Sequence, residues 1–120
     1  PGEDPVEGGL RELVEETGHT PADRSKVVLL GATRPNSAFM QNRCFSIFVP
    51  RALKTHELNL DPTEEVEVTT MKRADVEAAF KEGARRCALG LDQGDAQTGT
   101  LLDNALVSVA LYLWKLHAAG

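Results

Sequence analysis

The chain has 120 residues, enough for one domain built around one core. Its 13 basic and 18 acidic residues leave a net charge of −5, which argues against general nucleic-acid binding but not against a small phosphate ligand, whose site is governed by local charge. Cys44 and Cys87 are too few for a disulfide scaffold and lack zinc-site spacing, so free thiols in a reducing cytoplasmic interior are expected. No secretory leader is visible and no apolar run is long enough to span a bilayer, so no membrane partner is expected. With aromatics at 5%, the core must rest on Leu, Val and Ala.

In chain order, Asp4 to Gly18 reads as a helix. Asp4 is a capping residue, Pro5 suits the first helical position, Glu7 completes a capping box and Gly18 stands just past the end. At about 100° per residue, Val6, Leu10, Leu13, Val14 and Thr17 share one side, with Glu12, Glu15 and Glu16 opposite. Residues 20–26 read as a loop. Val27–Ala32 reads as a buried strand, and 33–40 as a second loop. Arg43–Val49 is the best strand, covered on both faces and stopped by Pro50. A polar connection, 51–65, leads to Val66–Met71, whose alternation predicts a half-buried strand. Arg73–Gly83 reads as a short amphipathic helix, 85–100 mostly as loop, and Leu101–Ala118 as a long helix packed on the sheet. There is no internal repeat.

The first helix carries local costs. Like charges three or four residues apart destabilise a helix by a few tenths of a kcal/mol per pair. Gly8 and Gly9 each cost roughly 1 kcal/mol relative to Ala. Clustered carboxylates are what a hard divalent cation needs, since Mg²⁺ takes oxygen ligands and shares them with substrate phosphates. A bare acidic helix face is, in most proteins, simply a solvated one.

The order of these residues resembles the Nudix box, G-x5-E-x7-R-E-U-x-E-E-x-G-U, where U is a bulky apolar residue. Glu3, Arg11, Glu12, Leu13, Glu15, Glu16 and Gly18 match at the right spacing. The chain departs at the last apolar position, which is His19, and it begins at Pro1, after the place of the first Gly. The resemblance implies an α/β (α+β) fold: a Nudix-like α/β/α sandwich with a mixed sheet, one domain over 1–120, N-terminally truncated. It implies Mg²⁺ or Mn²⁺ held by Glu12, Glu15 and Glu16, with Glu3 holding Arg11 to fix helix and loop. Catalysis would fall to Glu15, Glu16 and a carboxylate after the box, Glu64 before Glu65, whereas Glu67 is expected to be solvated.

Residues 34–44 resemble the ADP-ribose pyrophosphatase group, in which a Pro follows the box by sixteen residues, as Pro35 follows His19. Arg43 reads either as a phosphate contact or as an ordinary surface residue. Trp114 reads as core, and His19 as a residue capping the helix end. The expected function is therefore Mg²⁺-dependent hydrolysis of a nucleoside diphosphate derivative, ADP-ribose or another nucleotide sugar, by a homodimer. The alternatives are a non-catalytic nucleotide-binding module, or a Nudix enzyme for dinucleoside polyphosphates or oxidised nucleotides.

Overall fold

The computed structural model describes residues 2–91 and 104–120. Its elements are helix α1 (Pro5–Thr17), strand β1 (His19–Pro21), a 3-10 turn (Arg24–Lys26), strands β2 (Val28–Thr33), β3 (Cys44–Phe48) and β4 (Ala52–Lys54), and helices α2 (Arg73–Ala88) and α3 (Ala105–Ala118). The chain is a mixture of helices and small sheets, of the general α+β class. It divides into two units, one comprising Pro1–Val68 with Ala110–Gly120, the other Thr69–Val109.

The first unit carries both sheets. Among the described residues each sheet has two strands, and both pairings are antiparallel, β1 with β4 and β2 with β3. The mixed sheet expected from the sequence does not form among them. Residues 66–71, expected to be a half-buried strand, are exposed and form no strand among the described residues. Alternation suits these residues to a pleated surface, but a strand exists only where another backbone accepts its hydrogen bonds. Conversely, β1 and β4 lie in stretches expected to be loop. They are three residues each, too short for periodicity to show, and they pair because the Pro50–Arg51 turn brings Ala52 opposite Pro21.

Helix α1 begins as its sequence demands. The Asp4 Oδ1 atom accepts from the Val6 N–H at 2.8 Å. The expected capping box is not closed, because Glu7 reaches out to Arg24 instead. Gly18 ends the helix in the left-handed region, φ 70° and ψ 18°, donating to the Val14 carbonyl at 2.8 Å. Its carbonyl accepts from Thr55 N at 2.9 Å and His56 N at 3.0 Å. A Cβ at Gly18 would collide with the His56 carbonyl, so both its backbone angle and its neighbour exclude a side chain. The His19 Nδ1–H donates to the Thr17 carbonyl at 2.7 Å, which is the helix-end role read from the sequence.

The β2–β3 hairpin pairs Val28 with Phe48, Leu29 with Ile47, Ala32 with Phe45 and Thr33 with Cys44, with an irregularity between Leu29 and Gly31. Neighbouring residues of a strand point to opposite faces. Ile47 lies against Gly9 of α1, while the Phe48 ring meets Trp114 of α3 with centroids 5.6 Å apart. Gly31 lies against Leu113 on the α3 side as well. One helix therefore packs against part of each face of the hairpin. Trp114 is half-buried, as is Cys44. Ser46 on the α3 side is buried, but Phe45 on the α1 side is exposed, contrary to the expectation that both faces are covered.

In the second unit α2 runs past Gly83 to Ala88, five residues beyond the expected end. Gly83 is buried and helical there, and Arg85 and Arg86 in the last turn suit the negative end of the helix dipole. Glu82 and Arg85 form a two-pronged ion pair at 2.6 and 2.8 Å, which holds the Glu82 carboxyl below its usual range. Asn104 opens α3, its Oδ1 accepting from Leu106 N at 2.9 Å and Val107 N at 3.2 Å. The expected helix start at Leu101 and Leu102, and most of the expected 85–100 loop, lie outside the described residues. No helix among the described residues is long and apolar enough to cross a membrane.

Candidate functional site

The box-spaced residues expected from the sequence lie on α1 and its lead-in. Glu3, one residue before the cap, folds back on the helix and grips Arg11 through two hydrogen bonds, Oε1 to Nη2 at 3.1 Å and Oε2 to Nε at 3.3 Å. Arg11 also donates from Nη1 to Glu15 Oε2 at 3.4 Å, one helical turn on. The hydrogen bonds from Arg11 hold the Glu3 carboxyl below its ordinary range, and Glu3 in turn raises the Arg11 guanidinium. The Glu3–Arg11 pairing that the resemblance implies is present in the fold as a physical contact.

Two close approaches account for the paired glycines. A Cβ on Gly8 would stand 2.9 Å from Glu3 Oε1, and one on Gly9 would stand 2.5 Å from Ile47 Cδ1. The first leaves room for the brace. The second lets α1 lie against the sheet. The helix-propensity cost of roughly 1 kcal/mol per glycine is offset by what each approach permits.

Beside Gly9 an open cleft of about 420 Å³ runs between α1 and the end of β3. Glu12 and Glu16 border it, with Leu13, Ile47, Val49 and Ala52 among its apolar walls. The helical wheel set these two glutamates opposite the apolar stripe. In the fold they lie at the rim of that stripe, because Gly9 lets the sheet approach close to their side of the helix. Glu15 is turned to Arg11 and does not line the cleft.

The remaining expected residues are not among those that line the cleft. Glu64 sits in the Asp61–Glu64 turn, where its Oε2 accepts from Asp61 N at 3.4 Å. Asp61 accepts from Thr63 N at 3.0 Å and Thr63 Oγ1 at 2.8 Å, which lowers its carboxyl from the usual range. Glu65 and Glu67 are exposed on the segment that follows. Pro35 and Arg43 are exposed in the connection between β2 and β3. A contact that sequence reasoning missed is Asn59, whose N–H donates to the Glu15 carbonyl at 2.8 Å and ties the loop after β4 to the acidic turn of α1. Nothing in the local pattern of 51–65 signals that tie.

Among the described residues no three His, Cys, Asp or Glu side chains converge to hold a metal ion. Glu12 and Glu16, one turn apart on the cleft wall, are the carboxylates that fit one. Mg²⁺ is commonly held by one or two carboxylates, with its other positions left to water and phosphate oxygens. Comparison of the chain with protein-family models, with curated proteins and with solved structures finds no match.

Proposed function

We propose that this chain is a Nudix-type pyrophosphohydrolase that splits a nucleoside diphosphate derivative, ADP-ribose or another nucleotide sugar, into two monophosphates. The observation that carries the proposal is the joint placement of box-spaced residues: Glu12 and Glu16 on the wall of an open cleft, and Glu3 clamped on Arg11 at their back. A helix on each face of the β2–β3 hairpin is what a Nudix-like α/β/α sandwich requires of this region. A divalent cation, Mg²⁺ or Mn²⁺, would neutralise the pyrophosphate oxygens and acidify the attacking water.

The chain's own residues have separable tasks. Glu12 and Glu16 would bind the cation. The Glu3–Arg11 clamp fixes the start of α1 against its middle and so sets the direction in which those carboxylates project. The reaction joins a water oxygen to one phosphorus as the bridging P–O bond breaks, and the water's proton passes to a carboxylate. Glu16 stands at the cleft for that role, whereas Glu15 must first leave Arg11 and Glu64 must leave the Asp61 amide.

The test is Mg²⁺-dependent turnover of ADP-ribose and a panel of nucleotide sugars and dinucleoside polyphosphates, with Glu16→Gln as control. The expected loss exceeds about a hundredfold, beyond the 10–100-fold usual for a residue that merely orients a ligand. Full activity in Glu16→Gln would remove the assignment. The pairing of Glu15 with Arg11 favours a second reading, a module that binds nucleotides without cleaving them. Calorimetry separates the two: tight ADP-ribose binding without product supports the module.

A further inference from the structure

The α1 face of the hairpin extends beyond the cleft. Ile47 lines the cleft, and Phe45, two residues earlier on β3, points to the same face about 7 Å away. Leu29 pairs with Ile47 and Ala32 with Phe45, so all four share that face. Leu29 and Phe45 are 46% and 43% exposed, giving a flat apolar strip open to solvent.

The strip ends in charge. The last strand pair is Thr33 with Cys44. Arg34 and Arg43 are the next residue beyond that pair on either chain segment, and both are exposed. Neither guanidinium has a hydrogen bond or ion pair among the described residues, although the chain carries a surplus of carboxylates. The arrangement of the two guanidiniums beside an exposed aromatic ring is complementary to a flat ring carrying an anionic group.

We propose that Leu29, Ala32 and Phe45, with Arg34 and Arg43 beyond them, form a subsite for a nucleoside phosphate whose phosphate is separate from the pyrophosphate cleaved at Glu12 and Glu16. This rests on the pyrophosphohydrolase reading for its placement of the cleaved bond. It narrows the substrate class to nucleotides that bear an additional phosphate across a nucleoside from the scissile linkage. Phe45 stacks the base, and the two guanidiniums take the phosphate oxygens.

Two measurements on the full chain test it. The first is calorimetry in chelator, without metal, comparing adenosine 2′-monophosphate, adenosine and inorganic phosphate. The monophosphate should bind at least about tenfold more tightly than either fragment, a gain expected of charge-assisted contacts. Replacing both arginines, Arg34→Gln with Arg43→Gln, should erase the gain over adenosine. Phe45→Ala should erase the gain over inorganic phosphate. Equal affinities for all ligands, or double-variant binding like the parent's, would overturn the subsite. The arginines lie on an exposed connection, so their variants keep the test decisive if Phe45→Ala fails to fold.

The second measurement is turnover of ADP-ribose against ADP-ribose bearing a 2′-phosphate, with a KM about tenfold lower expected for the latter only while both arginines are present. Turnover without that difference overturns the subsite and leaves the hydrolase reading intact. Metal-free binding as described, without turnover of any substrate, keeps the subsite and removes the hydrolase. A dimer that Phe45→Asp dissociates, with no nucleotide affinity in the parent, would make this face a contact between copies and overturn the proposal.

Discussion

Glu3 and Arg11 hold each other across eight residues of sequence, on the surface, at 3.1 and 3.3 Å. Because both groups are exposed, screening by water limits the strength of the pair, and its importance lies in geometry. Arg11 is also the residue that turns Glu15 away from the cleft. The pair has a pH signature. The folded state holds the Glu3 carboxyl below its ordinary value of 4.5, so its contribution is fully present above that value and disappears as the pH falls below it. Melting curves should therefore show the parent losing more stability than Glu3→Gln as the pH drops from about 5 to about 3. Parallel curves for the two proteins would mean that the clamp does not persist in solution.

At the scale of elements, α1 meets the hairpin through a glycine. Alanine at position 9 should gain roughly 1 kcal/mol in helix propensity. Its Cβ, however, would stand 2.5 Å from Ile47 Cδ1, so the isoleucine must swing out of the position where it lines the cleft. The two effects oppose each other, and Gly9→Ala is expected to be neutral or destabilising in the parent. In an Ile47→Val background, where that methyl is gone, the same change should stabilise by about 1 kcal/mol. Urea denaturation of the four proteins in this cycle reads the coupling. A gain of the same size in both backgrounds would show that the helix and the sheet do not touch there. The same contact bears on function, since a displaced Ile47 also shifts the wall facing Glu12 and Glu16.

Across the whole molecule, burial among the described residues is sparse. Ala79 is the buried apolar side chain and Ser46 the buried polar one, and no large side chain is fully buried. Away from the Leu29–Phe45 strip, Leu53, Tyr112 and Leu116 are exposed in the first unit. Apolar surface of this kind is stabilised by further burial. We expect the homodimer that the resemblance implies. Its melting temperature should rise by roughly 2–4 °C for each tenfold increase in protein concentration. Sedimentation equilibrium should give the mass of two chains. A monomer with a concentration-independent transition would rule the dimer out.

Several features of this protein were legible in its sequence because they depend on neighbours close along the chain. Asp4, Pro5 and Gly18 bound α1, and the central parts of β2 and β3 follow from apolar runs ended by Pro and polar loops. The reach of Glu3 to Arg11 is local too, both sitting on one short helix and its lead-in, but it was legible only through the family resemblance. Tertiary structure decided what lies far apart in sequence. Residues 66–71 have the alternation of a strand but form no ladder among the described residues, whereas β1 and β4 have almost no pattern and pair because a turn brings them together. The helical wheel could divide the three glutamates only by angle. Which of them face the cleft depended on Gly9 meeting Ile47, thirty-eight positions away, and on Arg11 drawing Glu15 aside. Propensity and capping act through the nearest turn of chain, while a site is made by side chains that only packing brings together.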